Sequence, residues 1–271
     1  VVKGTVDRAA PIGVFDSGLG GLTVAHAIMR QLPAESLIYF GDTARVPYGP
    51  KSPETVRRYS REIASYLISQ GVKAIVVACN TATAHALPML EDELPVPVIG
   101  VVEPGARAAV RASTTGRIGV IATAGTIKSG AYVRAIHQEA PDAHVTALAC
   151  PLFVPLVEEG WTDHEATRAI AREYLAPFSG DHVDTLVLGC THYPLIKPMI
   201  ASVVGPGVRL IDSAEETAAD TRRLLAEHSL AASDGGARHR FIASDDPQQF
   251  LELGQRFLGD AIEAVEVRTF G

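Results

Sequence analysis

Short apolar runs, many of them β-branched, recur along the chain, and each gives way to a longer stretch whose apolar residues return every three or four positions. The first kind of segment reads as a strand buried on both faces, and the second as an amphipathic helix laid against it. Ile12-Gly-Val-Phe-Asp16-Ser17 opens the series as a strand ending on a polar pair, followed by Gly18-Leu-Gly20-Gly21 and a helix over 22–31. Leu37 to Asp42 is a second strand, again ending on a carboxylate. Residues 43–53 hold Pro47, Gly49, Pro50 and Pro53 and predict a loop. Val56, Tyr59, Ile63, Tyr66 and Leu67 then mark one side of a helix over 53–70. The run Lys73-Ala-Ile-Val-Val-Ala-Cys79-Asn-Thr81 is a third strand ending on a thiol, with a helix over 80–94 that Pro88 should kink or end. Pro97 gives the strand at 96–101 the character of a sheet edge, and a helix from Glu103 should stop before Gly116.

The same order then returns. Ile118-Gly-Val-Ile-Ala-Thr123 matches the Ile12 strand at an offset of 106, and Val145 to Cys150 matches Leu37 to Asp42 at 108. Asp184-Thr-Leu-Val-Leu-Gly-Cys190-Thr-His192 places Cys190 at 111 from Cys79, and Val208 to Ser213 follows the Val96 strand at 112. Slowly growing offsets point to a duplication with loop insertions. The expected fold class is α/β: two similar βα domains with mainly parallel sheets, related by a pseudo-twofold duplication, with the site in the cleft between them. A helix over 215–230 and a flexible connection over 231–237 lead to a strand–helix–strand tail at 240–244, 247–258 and 264–268. That tail should pack back on the first half. The domains are then 10–101 together with 214–271, and 102–213.

Composition narrows the function classes. With 47% hydrophobic and 20% charged residues over 271 positions, a sizeable core is available and global disorder is excluded. A net charge of −7 argues against nucleic acid as the main ligand. No apolar run approaches the roughly 20 residues of a membrane helix, so no membrane partner is expected. Residues 1–10 lack a signal-peptide core and read as a loose leader, which favours a cytoplasmic enzyme. Three cysteines with no C-x-x-C pair suggest neither a disulfide framework nor a zinc cluster.

Cys79 and Cys190 end matched strands, at the carboxyl edge where open α/β sheets bind ligands. Asn80-Thr81 and Thr191-His192 follow them and should open helices. Free N–H groups there would hold a substrate carboxylate, with help from Asn80, Thr81 and Thr191, and would lower the pKa of a nearby thiol. Asp16, beside Ser17, could take a thiol proton, orient an ammonium, or merely cap the next helix. His192 could hydrogen-bond Cys190 or act as its base, and Glu158 or Glu159 could support it. Cys150, followed by Pro151 and Leu152, reads as core. The stretch Ser17 to Thr23 lacks the third glycine of a dinucleotide loop and the Lys-Ser/Thr of a phosphate loop, so its glycines should serve a close turn under the ligand. Cys190, His192 and Asp16 match no common metal spacing, and Lys197, which precedes Pro198, gives little support for a pyridoxal Schiff base. Two thiols facing one carbon can remove a proton from one side and return one on the other, which inverts a stereocentre. A thiol of pKa about 8.5 can serve as acid or base near neutrality.

Four stretches, Phe15-Asp-Ser-Gly-Leu-Gly-Gly-Leu22, Gly41-Asp-Thr-Ala-Arg-Val-Pro-Tyr-Gly49, Ala78-Cys-Asn-Thr-Ala82 and Leu188-Gly-Cys-Thr-His-Tyr-Pro-Leu195, resemble the signatures of the bacterial glutamate racemase family. The likeness runs from about Ile12 to Arg268. It implies a cofactor-independent two-cysteine racemase, with no metal, that makes D-glutamate for peptidoglycan. By this resemblance Cys79 and Cys190 carry the proton, and Asp16 and Ser17, Tyr48 and Gly49, Asn80 and Thr81, and Thr191 and His192 hold glutamate. The family's acid matches Glu158 best, with Glu159 adjacent. The resemblance also allows a homodimer. Two rivals remain open at this level: a racemase of another acid such as aspartate, and an α/β ligand-binding module with inert thiols. Asp42 and Asp212 are either structural or supports behind the site.

Overall fold

The computed structural model describes residues 7–178, 182–233 and 236–270. The chain begins β1 (Ile12–Asp16), α1 (Leu22–Gln31), β2 (Leu37–Gly41), α2 (Pro53–Ser69), β3 (Ala74–Val77), α3 (Asn80–Glu93), β4 (Val98–Gly100) and α4 (Val102–Ala112). It continues β5 (Arg117–Ala122), α5 (Ala124–Ser129), α6 (Ala131–Glu139), β6 (His144–Ala149), α7 (Phe153–Glu158), α8 (Glu165–Leu175), β7 (Thr185–Gly189), α9 (Lys197–Val204), β8 (Arg209–Ile211) and α10 (Ala214–Glu227). The tail is β9 (His239–Ala243), α11 (Pro247–Leu258) and β10 (Glu266–Val267).

Two parallel sheets result, in the orders β10-β9-β2-β1-β3-β4 and β6-β5-β7-β8. Apart from the added β9 and β10, the orders are the same, and the offsets read from the sequence reappear as hydrogen-bond register. Ile12 pairs with Leu37 and Ala74. Ile118, 106 positions on, pairs with Val145 and Thr185, which lie 108 and 111 positions beyond those partners. Ile75 pairs with Val98, and Leu186 with Leu210, offsets of 111 and 112. The tail lies against the first sheet, with Leu37 opposite His239.

Each sheet is covered on both faces, which is why its strands are apolar throughout rather than alternating. One face of the first sheet packs Val14, Tyr39 and Val76 against Leu22, Ile28, Leu225 and Phe250 from α1, α10 and α11. The other packs Phe15, Phe40 and Val77 against Val56, Ile63 and Leu67 of α2 and Ala86 and Leu90 of α3. Pro88 does not end α3, which runs on to Glu93 with the proline on its exposed face. The strand at Val96 is shorter than its apolar run. It starts after Pro97, whose carbonyl still accepts from Ile75 N, and β4 is an edge strand as the proline requires. Among the described residues no helix is long and apolar enough to cross a membrane.

One buried ion pair ties four segments to the first sheet. Lys73 and Glu35, with side chains 0% and 4% exposed, meet at 2.5 Å. Lys73 Nζ also donates to the Arg8 carbonyl at 2.6 Å, and Glu35 Oε1 accepts from Ala232 N at 2.8 Å. The leader expected to be loose is therefore pinned at its inner end, while residues 1–6 lie outside the described residues. The connection expected at 231–237 falls partly on residues 234 and 235, also outside them, but Ala232 is held. Lys73→Met should destabilise the protein by about 3–5 kcal/mol, since Glu35 would stay buried without its counter-charge. The double change Lys73→Met with Glu35→Gln should recover most of that loss. Urea unfolding of the three proteins measures it, and an unchanged midpoint in the single variant would contradict this account.

Candidate active site

The carboxyl ends of β1, β3, β5 and β7 deliver their polar residues to one small cavity. Ser17, Cys79, Asn80 and Thr81 line it from the first sheet, and Thr123, Cys190, Thr191 and His192 from the second. Pro47, Tyr48 and Gly49 enter from the loop after β2, and Val154 from α7. Ser17, Tyr48, Gly49, Cys79, Asn80, Thr81, Cys190, Thr191 and His192, all expected at the site, lie on this wall, while Asp16 and Glu158 touch it from behind through Thr191 and His192. Among the described residues lining the cavity there is no Lys or Arg. A carboxylate there would rest on amide, hydroxyl and backbone donors.

The glycine loop serves closeness between the two halves. A Cβ on Gly20 would fall 2.4 Å from Thr191 Oγ1 and 2.8 Å from His192 Nδ1. The loop after β2 is pinned as well: Gly125 N donates to the Gly49 carbonyl at 2.9 Å. Tyr48 OH donates to Asp42, which also accepts from Arg45 Nε at 2.8 Å and Ser244 Oγ at 2.9 Å. Asp42 is thus an anchor for Tyr48. Asp212 forms an ion pair with Lys197 at 2.8 Å, which occupies that lysine.

Cys79 is the N-cap of α3. Its sulfur accepts from Ala82 N at 3.5 Å and donates to Ser17 Oγ at 3.7 Å. A lowered thiol pKa was expected from that position, and the structure reverses it. Burial first, and then the charge of Asp16, push the thiol up to about 12, against the Ala82 N–H and Ser17. Asp16 is itself raised by burial, against the charge of His192 and the N–H groups of Gly21 and Gly18. Its Oδ2 accepts from Gly18 N at 3.1 Å and Gly21 N at 3.0 Å, and Oδ1 accepts from Thr191 Oγ1 at 3.4 Å. The helix-capping reading of Asp16 is partly realised: it closes the turn into α1, while Gly21 occupies the N-cap position.

Cys190 is built differently. No α-helix starts beside it; a 3-10 turn over Tyr193–Ile196 intervenes before α9. The proline at 194 and the early tight turn remove the helix terminus expected there. A side chain stands in its place: His192 Nδ1 lies 3.8 Å from Cys190 Sγ, and His192 Nε2 lies 3.1 Å from Glu158 Oε1. Burial pulls the His192 pKa down, but hydrogen bonds to Cys190 and Glu158 override it and raise the value to about 10. Glu158 ends α7 with its side chain 31% exposed, whereas Glu159 is exposed outright.

Thr123 and Val154 were not singled out from the sequence. Thr123 was legible, since the 106-residue offset makes it the counterpart of Ser17. Its Oγ1 meets Thr81 Oγ1 at 2.9 Å, and Thr126 Oγ1 joins both, which links the two halves through hydroxyls. Val154 comes from α7, where the first half has only a short 3-10 turn over Thr43–Arg45. Cys150 is buried in the second core as expected, its carbonyl accepting from Tyr193 OH. Among the described residues no group of three or more His, Cys, Asp or Glu side chains is arranged to hold a metal ion.

Comparison with known proteins places this geometry. The model of the Asp/Glu/hydantoin racemase family matches residues 12–221. A glutamate racemase of Geobacter metallireducens is 56% identical over 250 residues, covering 92% of each chain. The crystal structure of a glutamate racemase isoform from Bacillus anthracis superposes with a TM-score of 0.92 at 41% identity, covering 98% of both chains. That of a glutamate racemase from Francisella tularensis in complex with D-glutamate gives 0.90 at 39% identity, covering 97% of this chain and 98% of that one. With the family model spanning most of the sequence and relatives agreeing along nearly its whole length, the chain belongs to the Asp/Glu/hydantoin racemase family.

Proposed function

We propose that this protein is a glutamate racemase, interconverting L- and D-glutamate by two-thiol proton transfer at Cα and supplying D-glutamate for peptidoglycan. The observation that carries the reading is the pair of thiols, one from each sheet, lining a single small cavity with different proton-handling neighbours. We take 10–101 with 214–271 and 102–213 as the two domains whose facing edges enclose the substrate, and the cytoplasm as the place of action.

The Cα proton of an amino acid is a very weak acid, so the site must stabilise the carbanion as it forms. Charge delocalised onto the α-carboxylate meets fixed donors: the hydroxyls of Ser17, Thr81, Thr123 and Thr191, the Asn80 amide and backbone N–H groups. One sulfur, as thiolate, takes the Cα proton, and the other, as thiol, returns a proton to the opposite face. The carbon ends inverted and the two sulfurs have exchanged protonation states, ready for the reverse turnover. On the first side Asp16, with its raised affinity for a proton, and Ser17 manage the Cys79 proton. On the second side the His192–Glu158 pair manages that of Cys190.

Cys79→Ala and Cys190→Ala should each lower racemisation by about 10²- to 10⁴-fold or more, because either leaves one face of the carbon without a proton carrier. Optical rotation with L- and D-glutamate, and with L- and D-aspartate as controls, measures this. Racemisation of glutamate by either variant at the unmodified rate would end the two-thiol reading. Turnover in D2O should place deuterium at Cα of the product enantiomer, while retained hydrogen would indicate another chemistry.

A third expectation concerns pH. The pairing of His192 raises its pKa above the ordinary 6.5. Its stabilisation of the fold is therefore complete below about pH 6.5 and is lost as the pH climbs through about 10. Glu158→Gln removes one of the three residues that raise it, the others being Cys190 and Asp16, so the His192 titration should move down toward the ordinary value, as read from its imidazole NMR shifts over a pH series. A titration that stays near 10 would show that Glu158 does not hold the proton there.

A further inference from the structure

We infer that Tyr132, which lies outside the cavity wall, is a positioning residue for this reaction: it fixes the Asn80 amide so that the amide N–H groups are presented to the substrate carboxylate. The inference rests on the racemase reading for its consequence and on three separate observations for its geometry.

Tyr132 OH, from α6, donates to Asn80 Oδ1 at 2.7 Å, joining the second half of the chain to the first. Asn80 lines the cavity and is 3% exposed, and its Nδ2 is buried with no hydrogen-bond partner among the described residues. A buried amide nitrogen left unpaired is costly and calls for an acceptor that arrives later. With Oδ1 accepting from the tyrosine, Nδ2 is the end of the amide left without a partner. The tyrosine is held just as firmly. It is 2% exposed, and its ring fills the space that a side chain at residue 189 would need: a Cβ on Gly189 would lie 2.9 Å from Tyr132 Cε2. The residue after that glycine is Cys190, so one ring braces the end of β7 and the Asn80 amide together. Burial also keeps the phenol protonated far above neutrality, so it stays a donor.

Tyr132→Phe keeps the ring in its slot and removes only the hydroxyl. KM for glutamate should rise and kcat should fall, together lowering kcat/KM about tenfold, as expected when a donor that holds the carboxylate in both ground and transition states is loosened. In an Asn80→Ala background the same replacement should add nothing, because its target is gone. An unchanged kcat/KM, or an equal fall in both backgrounds, would overturn the inference and assign the tyrosine a purely structural role. A second readout does not depend on turnover. The ¹H–¹⁵N signals of the Asn80 side-chain amide, assigned by their loss in Asn80→Ala, should shift in Tyr132→Phe, and unshifted signals would also overturn it. If the unmodified protein failed to racemise glutamate, the racemase reading would fall, and the amide signals would still decide whether Tyr132 holds Asn80.

Discussion

Backbone hydrogen bonding in two parallel sheets sets the position of each thiol, and the rest of the site depends on that constraint. Ala78 N donates to the Phe15 carbonyl at 2.8 Å, which fixes where β3 stops beside β1 and therefore where Cys79 leaves the sheet. Ala122 opposite Gly189 does the same for Cys190. A slip of one residue in either pairing would turn the sulfur to the other face of its sheet. Apolar cover on both faces makes such a slip costly, because β3 and β7, which lead to the thiols, are buried at every position.

Within that shared frame the two halves differ in chemistry. The counterpart of Asp16 in the second half is Ala122, and the counterpart of His192 in the first half is Thr81. Cys79 therefore lives beside an acid and Cys190 beside a base, although their backbones are placed alike. Asp16 and His192 also act on each other across the site: each appears among the charges that shift the other's pKa. A buried carboxylate and a buried imidazolium offset part of each other's burial cost while neither blocks a sulfur. That arrangement gives two proton carriers unequal surroundings inside a cavity whose lining has no Lys or Arg among the described residues.

Closeness between the halves is the other requirement, and small residues meet it. Gly20 admits Thr191 and His192, Gly49 reaches α5 through its carbonyl, and the Thr81, Thr123 and Thr126 hydroxyls share hydrogen bonds. These contacts are short and polar, so they can hold the cavity shut without a large apolar interface at its centre. Of the bulky side chains that steady it, Tyr48 lies on the wall with its hydroxyl committed to Asp42, while Tyr39 and Tyr132 stand one layer back with theirs committed to Gly18 and Asn80.

The amino-acid sequence by itself determined the strands, their order of recurrence, the register offsets and the placing of both cysteines at strand ends. Those features rest on periodicity and short-range pattern, and buried parallel strands leave a strong signal of both kinds. Ser17, Asn80, Thr81, Thr191 and His192 were legible for the same reason, since they flank the strand ends, whereas Tyr48 and Gly49 were expected only from the family resemblance of the stretch 41–49. Only the tertiary structure decided how each group behaves. A helix N-terminus predicted an acidic thiol at residue 79, but burial and the Asp16 carboxylate, brought from 63 residues away, outweigh it. The helix expected after Cys190 gives way to a tight turn, and His192 and Glu158 supply what it would have. Asp42 gained Ser244, and Tyr132 gained Asn80, only when distant segments met. Desolvation and charge act through space rather than along the chain, so no local pattern of residues encodes them.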